Sequence, residues 1–180
     1  MVLPYTPLSG STILEAGTPL ANENSLLSTL SNLASGPIFI DPSTHTSTAV
    51  TAETTLSSYS LPANFLASVG QGVRITARFQ AGATSNNKTF KLYFGSEVIS
   101  SGVLTTNNKN GSAEMIALKT GAGTQIVSAN MLVDTTPITG YNTTGAESDT
   151  AAITIKFTGT DGTGATGNIV LTTFMVEALR

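Results

Sequence analysis

The most constraining feature of this sequence is a period-two alternation of apolar and polar residues over its C-terminal two-thirds. Alternating segments occur near residues 72–81, 88–94, 124–134 and 151–159. Side chains on a β-strand point to opposite faces in turn, so each segment is expected to form a half-buried antiparallel strand. Gly, Asn and Asp residues separate the segments, which indicates tight turns between neighbouring strands.

The same pattern predicts eight strands in all. They are expected near residues 50–60, 72–81, 88–94, 97–105, 112–119, 124–134, 151–159 and 168–178. Eight short strands are typical of an antiparallel sandwich, and we expect an all-β, jelly-roll-like fold. Nine apolar residues are expected in the core: Val73, Ile75, Phe79, Phe90, Leu92, Phe94, Ile153, Ile155 and Phe157.

Residues 1–48 differ from the rest and contain five of the seven prolines. Proline lacks a backbone donor, so this segment is poor material for a central strand. We predict an extended N-terminal arm over residues 1–48 and a β-sandwich domain over residues 49–180. The arm includes one short helix, whose apolar face is formed by Leu26, Leu27, Leu30 and Leu33. A helix this short is not stable alone and must dock on its own domain or on a neighbouring subunit.

The arm also carries apolar side chains that it cannot bury by itself. We expect them to anchor it on a partner surface, and the predicted anchors are Leu26, Leu27, Leu30, Leu33, Ile38, Phe39 and Ile40.

The predicted last strand breaks the alternation and is apolar on both faces. Its two apolar sets are Ile169, Leu171 and Met175, and Val170, Phe174 and Val176. Such a strand has partners on both sides. One face is expected to join the core, and the other to be covered by the arm or by a symmetry-related copy. We predict that Ile169, Leu171 and Met175 face that copy, with exchange of the two faces as the alternative.

Composition limits the partners and the compartment. Only 11% of the residues are charged, against ~25% in typical domains, which suits a surface that becomes buried against other subunits. The first lysine or arginine is Arg74, and four acids precede it, so we expect no nucleic-acid partner. No apolar run reaches ~18 residues and no basic segment precedes an apolar one, so we expect neither a membrane span nor a signal peptide.

Catalytic and metal-binding patterns are weak. His45 is the only histidine, and Asp41, Ser43 and His45 share one short loop that offers no rigid catalytic frame. The chain has no cysteine, so too few ligands remain for a zinc site. Residues 162–167 match G-x-G-x-x-G but lead into a strand rather than a helix, which predicts a hairpin loop.

The carboxylates are the remaining candidates for catalysis or metal binding. Glu97, Glu114, Glu147 and Asp149 occupy polar positions that predict no hydrolytic pair. A calcium site remains open without a recognised loop signature, through Asp134, Glu147, Asp149 or Asp161. We therefore predict that the protein is not an enzyme and has no catalytic residue and no cofactor.

Four segments, in this order and spacing, resemble a β-sandwich domain found in virion proteins of tailed bacteriophages. They are TTLSSYSLPAN at 54–64, GVRITARF at 72–79, NNKTFKLYFG at 86–95 and TIKFTG at 154–159. The resemblance covers roughly residues 50–178 and leaves out the arm. It implies a jelly-roll-like fold, a homotrimer and a place on the virion surface, and it brings no catalytic residues.

Members of that family include capsid decoration proteins, head-fibre proteins and tail-fibre proteins. Three functions are open. Two follow from the resemblance: a capsid decoration (cement) protein that stabilises the shell, and a receptor-binding or fibre protein of the tail or head. The third is a non-viral, lectin-like domain that binds carbohydrates or cell surfaces. The absence of sustained heptads counts against a fibre stalk and favours decoration. The expected partners are other copies of the chain in a homotrimer and the major capsid protein or other virion subunits. The protein would be made in the host cytoplasm and carried on the outer surface of the virion.

Overall fold

Antiparallel strand pairing organises the part of the chain that the structure describes. The computed structural model describes residues 36–47, 51–105, 107–134 and 136–180. The strands are β1 (Gly36–Asp41), β2 (His45–Thr46), β3 (Thr54–Leu61), β4 (Gly72–Ala81), β5 (Lys88–Phe94), β6 (Glu97–Ser100), β7 (Lys109–Gly121), β8 (Thr124–Val133), β9 (Thr136–Gly145), β10 (Ile153–Asp161) and β11 (Ile169–Leu179). No helix occurs in these ranges. The predicted all-β class is confirmed, while the predicted helix at Leu26 to Leu33 lies outside the described residues.

The strands form two antiparallel sheets. Sheet A has the order β1-β11-β4-β7-β8-β9, and β2 also pairs with β11. Sheet B has the order β3-β10-β5-β6. All eight predicted strands are present, as β3 to β8, β10 and β11.

The inner faces of the two sheets share one apolar core. Phe79 of β4 lies over Phe90 of β5 and Phe157 of β10, with ring centroids 4.3 and 5.3 Å away. Glycine at position 111 makes room for this ring, because a Cβ atom there would lie 2.2 Å from Cε2 of Phe79. The nine predicted core residues are at most 4% exposed, so that prediction is confirmed.

Three strands were not predicted, and each lies at or near an edge of sheet A. The edge strand β9 contains Pro137 and Gly140 and little apolar alternation. Edge strands tolerate such residues because only one side of the backbone must pair. β1 and β2 fall within the segment assigned to the arm, yet both pair with β11.

Two of the predicted arm anchors pack on the chain's own domain. The ring of Phe39 stacks on Tyr59 at 5.0 Å and meets Phe174 edge-on at 6.1 Å. Ile38 also packs against the core, whereas Ile40 is 54% exposed. The predicted arm therefore extends too far, since residues 36–46 are held in the sheet by strand pairing and aromatic packing.

The last strand contains a register shift between Leu171 and Thr173 opposite β4. A β-bulge of this kind inserts one residue and reverses the alternation beyond it. Ile169 and Leu171 before the bulge, and Phe174 and Val176 after it, are therefore all buried in the core. Of the predicted trimer-interface residues Ile169, Leu171 and Met175, only Met175 is turned away from the core.

Candidate interaction surface

The aspartate beside the single histidine does not form a nucleophilic triad. The Asp41 carboxylate lies between two partners, 2.9 Å from His45 Nε2 and 2.5 Å from Ser57 Oγ. The hydrogen bond from Ser57 is the main cause of a lowered pKa at Asp41. A catalytic serine needs the histidine next to its hydroxyl, and here the carboxylate takes that place.

The glycine-rich loop at residues 162–167 connects β10 to β11, as the sequence predicts. The buried carboxylate of Asp161 accepts hydrogen bonds from the amides of Thr163 and Ala165, at 3.1 and 2.8 Å, and from Asn168 Nδ2 at 2.9 Å. Burial opposes ionisation of Asp161, but these donors outweigh it and lower its pKa. The loop amides therefore bind the chain's own carboxylate and do not form a cradle for a phosphate.

Asp149, one of the possible calcium ligands in the sequence, binds groups from neighbouring parts of the chain instead. Its Oδ2 lies 2.8 Å from Nζ of Lys119 and accepts the amide of Gly123 at 2.7 Å. Nζ of Lys119 also donates to the carbonyl of Leu66 at 2.8 Å. Within the described ranges, no group of three His, Cys, Asp or Glu residues is placed to hold a metal ion.

The outward faces of the two sheets differ in chemistry. Sheet B presents mainly hydroxyl and amine groups, from Ser58, Ser60, Lys91, Tyr93, Thr154 and Lys156. Sheet A presents a set of aliphatic and thioether side chains, from Ile116, Leu118, Ile126, Leu132, Met175 and Leu179. An apolar patch on an outer sheet face is typical of a surface that binds a partner.

The apolar residues of sheet A lie together because of strand register. Leu118 of β7 is directly opposite Ile126 of β8, and Ile116 is opposite Ser128 two residue pairs further along, on the same face. Opposed side chains on one face are ~5 Å apart, so these aliphatic groups form a continuous patch. Ile126 is 50% exposed.

Charged residues on this face balance. Arg74 and Arg78 of β4 alternate with its buried residues, as do Glu114 of β7 and Glu177 of β11. Arg74 Nη1 and Glu177 Oε2 are 3.8 Å apart. Two basic and two acidic side chains give the central strands of the face no net charge.

A shallow depression of about 340 Å³ adjoins the patch. Its outward-facing lining residues are Glu114, Ile116, Ser128, Asn130, Gly140 and Asn142. Gly140 has no side chain to fill the space above β9, so the sheet surface is recessed there. The face therefore combines an apolar patch with a polar hollow.

This face was missed from the sequence, although a signal for it exists. In β7, Ala113, Met115 and Ala117 face the core, while Ile116 and Leu118 face outward. The strand is therefore apolar on both sides, the same pattern that indicates two-sided burial of the last strand.

On sheet B, Glu53 connects three side chains of the outer face. Its Oε2 lies 2.6 Å from Lys91 Nζ, and its Oε1 accepts hydrogen bonds of 2.7 Å from Tyr93 and Thr158. Partial burial favours the neutral acid, but these donors outweigh it and lower the pKa of Glu53 to about 2.

Glu53→Gln is expected to remove part of the acid sensitivity of the fold. Because the pKa of Glu53 falls from 4.5 unfolded to about 2 folded, its stabilisation is complete above pH ~4.5 and is lost as pH falls towards 2. Solvent screening limits the effect to about 1 kcal/mol. Urea unfolding between pH 2 and 7 should show that the free energy of unfolding depends less steeply on pH in Glu53→Gln than in wild type. Tyr93→Phe, which removes one hydrogen bond to Glu53, should give an intermediate dependence. Identical pH profiles for all three proteins would contradict this role.

These features define an all-β, two-sheet domain. One outer face carries mainly hydroxyl and amine groups, and the other combines an apolar patch with charged and polar residues. No family model matches the chain, and no curated protein matches it. One solved structure with a similar chain trace is the CBM2 module of the evolved Dit of Lactobacillus casei BL23 phage J-1. It has a TM-score of 0.33 and 12% sequence identity, and the alignment covers 67% of each chain. Among the described residues, no helix is long and apolar enough to cross a membrane.

Proposed function

We propose that this chain is a non-catalytic surface protein of a tailed-bacteriophage virion, and specifically a capsid decoration (cement) protein that stabilises the head shell. It would assemble as a homotrimer and bind the major capsid protein on the outside of the particle. The sequence resemblance over residues 50–178 supports this class.

The observation that carries the proposal is the nesting of the strand pairs. β1 pairs with β11, β3 with β10, β4 with β7, and β5 with β6. Nested antiparallel pairs divided between two sheets are the pattern of a long hairpin rolled into a jelly roll, with the β8–β9 hairpin added to one sheet. Double-sheet jelly rolls are common in viral capsid proteins and in lectins.

The segment before β1 is proposed to attach the domain to the shell. Residues 1–35 contain many apolar side chains and no basic residue. Each aliphatic side chain buried on a partner surface contributes ~1.5–3 kcal/mol, and ordering the segment offsets part of this. Three attached segments on one trimer would bind far more tightly than one.

The test is rebinding of purified protein to phage particles that lack it. The full chain should bind in hundreds of copies and raise the temperature at which the shell releases its DNA. A variant without residues 1–35 should keep its β-sheet circular dichroism but fail to bind. The deletion stops at residue 35 because β1 pairs with β11 and belongs to the sheet.

Three results would argue against the proposal. Equal binding by the shortened chain would show that the two-sheet domain, rather than residues 1–35, binds the shell. A few copies located at the tail or a vertex would favour the fibre function. No binding by the full chain would reject a virion role on this particle.

A receptor-binding protein is the second candidate, favoured by the loops at one end of the sheets. Ser85, Asn86, Asn87, Gly162 and Thr163 line a polar depression of about 300 Å³ there. Loops held by a rigid scaffold often carry recognition. Binding of the purified chain to host cells, lost in Asn86→Ala with Thr163→Ala, would favour this candidate over decoration.

A further inference from the structure

We infer that the outer face of sheet A is the surface through which copies of this chain associate. This inference rests on the proposed homotrimer and names its subunit interface. It replaces the interface predicted from the last strand, where Ile169 and Leu171 are buried in the core.

The first argument is the contrast between the two outer faces. On sheet B the outward positions are mainly hydroxyl and amine groups, and the exposed aliphatic residue there is Val98 at 40%. On sheet A, Leu118, Ile126 and Ile116 form a continuous patch, and Ile40 lies opposite Met175 at the other side of the face. A contiguous apolar patch on one face indicates that this face is covered in the assembled protein.

Charge identifies another copy as the occupant. The face carries its basic residues, Arg74 and Arg78, on β4, and its acidic residues, Glu114 and Glu177, on the strands at either side. A face that holds both signs on adjacent strands can set its arginines against the glutamates of a neighbouring copy. A partner surface with a strong charge of one sign would instead place a like charge opposite either the two arginines or the two glutamates.

The size of the face agrees with a stable interface. Six strands at ~4.8 Å spacing span roughly 24 Å, and ten residues at ~3.4 Å extend roughly 34 Å. The product is an upper bound of roughly 800 Å² for the footprint of the face, comparable to the area that each partner contributes to an interface of standard size. Sheet A has six strands in its main order, and β4, β8 and β9 each have ten residues.

The test is the molar mass of the full chain by light scattering between 1 and about 100 µM. Wild type should have the mass of three copies. Ile126→Asp and Leu118→Asp should each shift the mass towards one copy, with association at least about tenfold weaker. Val98→Asp is the matched control, because it places the same charge on an exposed aliphatic position of sheet B, and it should remain trimeric.

The same samples test whether each variant folds. They also test whether residues 1–35 of the same chain, rather than another copy, cover the outer face of sheet A. Ile126 is half-exposed, so Ile126→Asp should keep the thermal unfolding profile of a folded monomer even if Leu118→Asp does not. Limited proteolysis should cut residues 1–35 equally in wild type and in Ile126→Asp. Faster cutting in the variant without a change in mass would assign the face to the chain's own segment and overturn the inference.

The remaining outcomes separate the two proposals. A trimer that survives both substitutions would overturn the interface and leave the homotrimer in place. A monomeric wild type would overturn both the homotrimer and its interface. The decoration role is decided separately, by the rebinding of particles.

Discussion

Phe79→Ala is expected to lower the free energy of unfolding by about 3–5 kcal/mol. The Phe79 ring is 2% exposed and lies between the two sheets, against Phe90 and Phe157. The loss of stability should fall near the upper end of this range, because Gly111 beneath the ring has no side chain that could move into the cavity. Loss of the aromatic contacts adds about 0.5–1.5 kcal/mol to the cost of lost burial.

Urea unfolding followed by circular dichroism measures this change. Phe79→Leu keeps most of the volume and should lose less than half as much stability. Val98→Ala, at an exposed position, should remain within about 0.5 kcal/mol of wild type. A loss below about 1 kcal/mol for Phe79→Ala would contradict the central place of this ring between the sheets.

Lys119→Met is expected to lower the free energy of unfolding by about 3–5 kcal/mol. The side chains of Lys119 and Asp149 are 9% and 13% exposed, and their charged atoms are 2.8 Å apart. Removing the ammonium leaves the Asp149 carboxylate and the carbonyl of Leu66 without their cation. Burial opposes ionisation of Asp149, but the amide of Gly123 and the ammonium of Lys119 outweigh it and lower its pKa.

A double-mutant cycle distinguishes the ion pair from simple packing. Lys119→Met combined with Asp149→Leu removes both charges and should recover much of the stability lost in either single variant. Additive losses would show that the two side chains act independently. Because the pKa of Asp149 is lowered in the folded state, its stabilisation should be present above pH ~3.9 and decline as the pH falls below that value.

Local alternation was enough to predict much of the fold. Val73, Ile75, Ala77 and Phe79 are separated by single residues, and this spacing places all four on one face of any extended strand. The strands and the core residues followed from that geometry alone. The loop at residues 162–167 could also be predicted, because the glycine-rich segment lies between two alternating runs.

The sequence by itself therefore determined the all-β class, the eight main strands and the nine core residues. Each of these depends on side-chain spacing within a single segment. Tertiary structure alone decided that β1 pairs with β11, that a bulge turns Phe174 into the core, and that Lys119 meets Asp149. It also brought Leu118 and Ile126 together on the outer face of sheet A. These features depend on pairing between distant segments, whose register is set by the packing of both sheets.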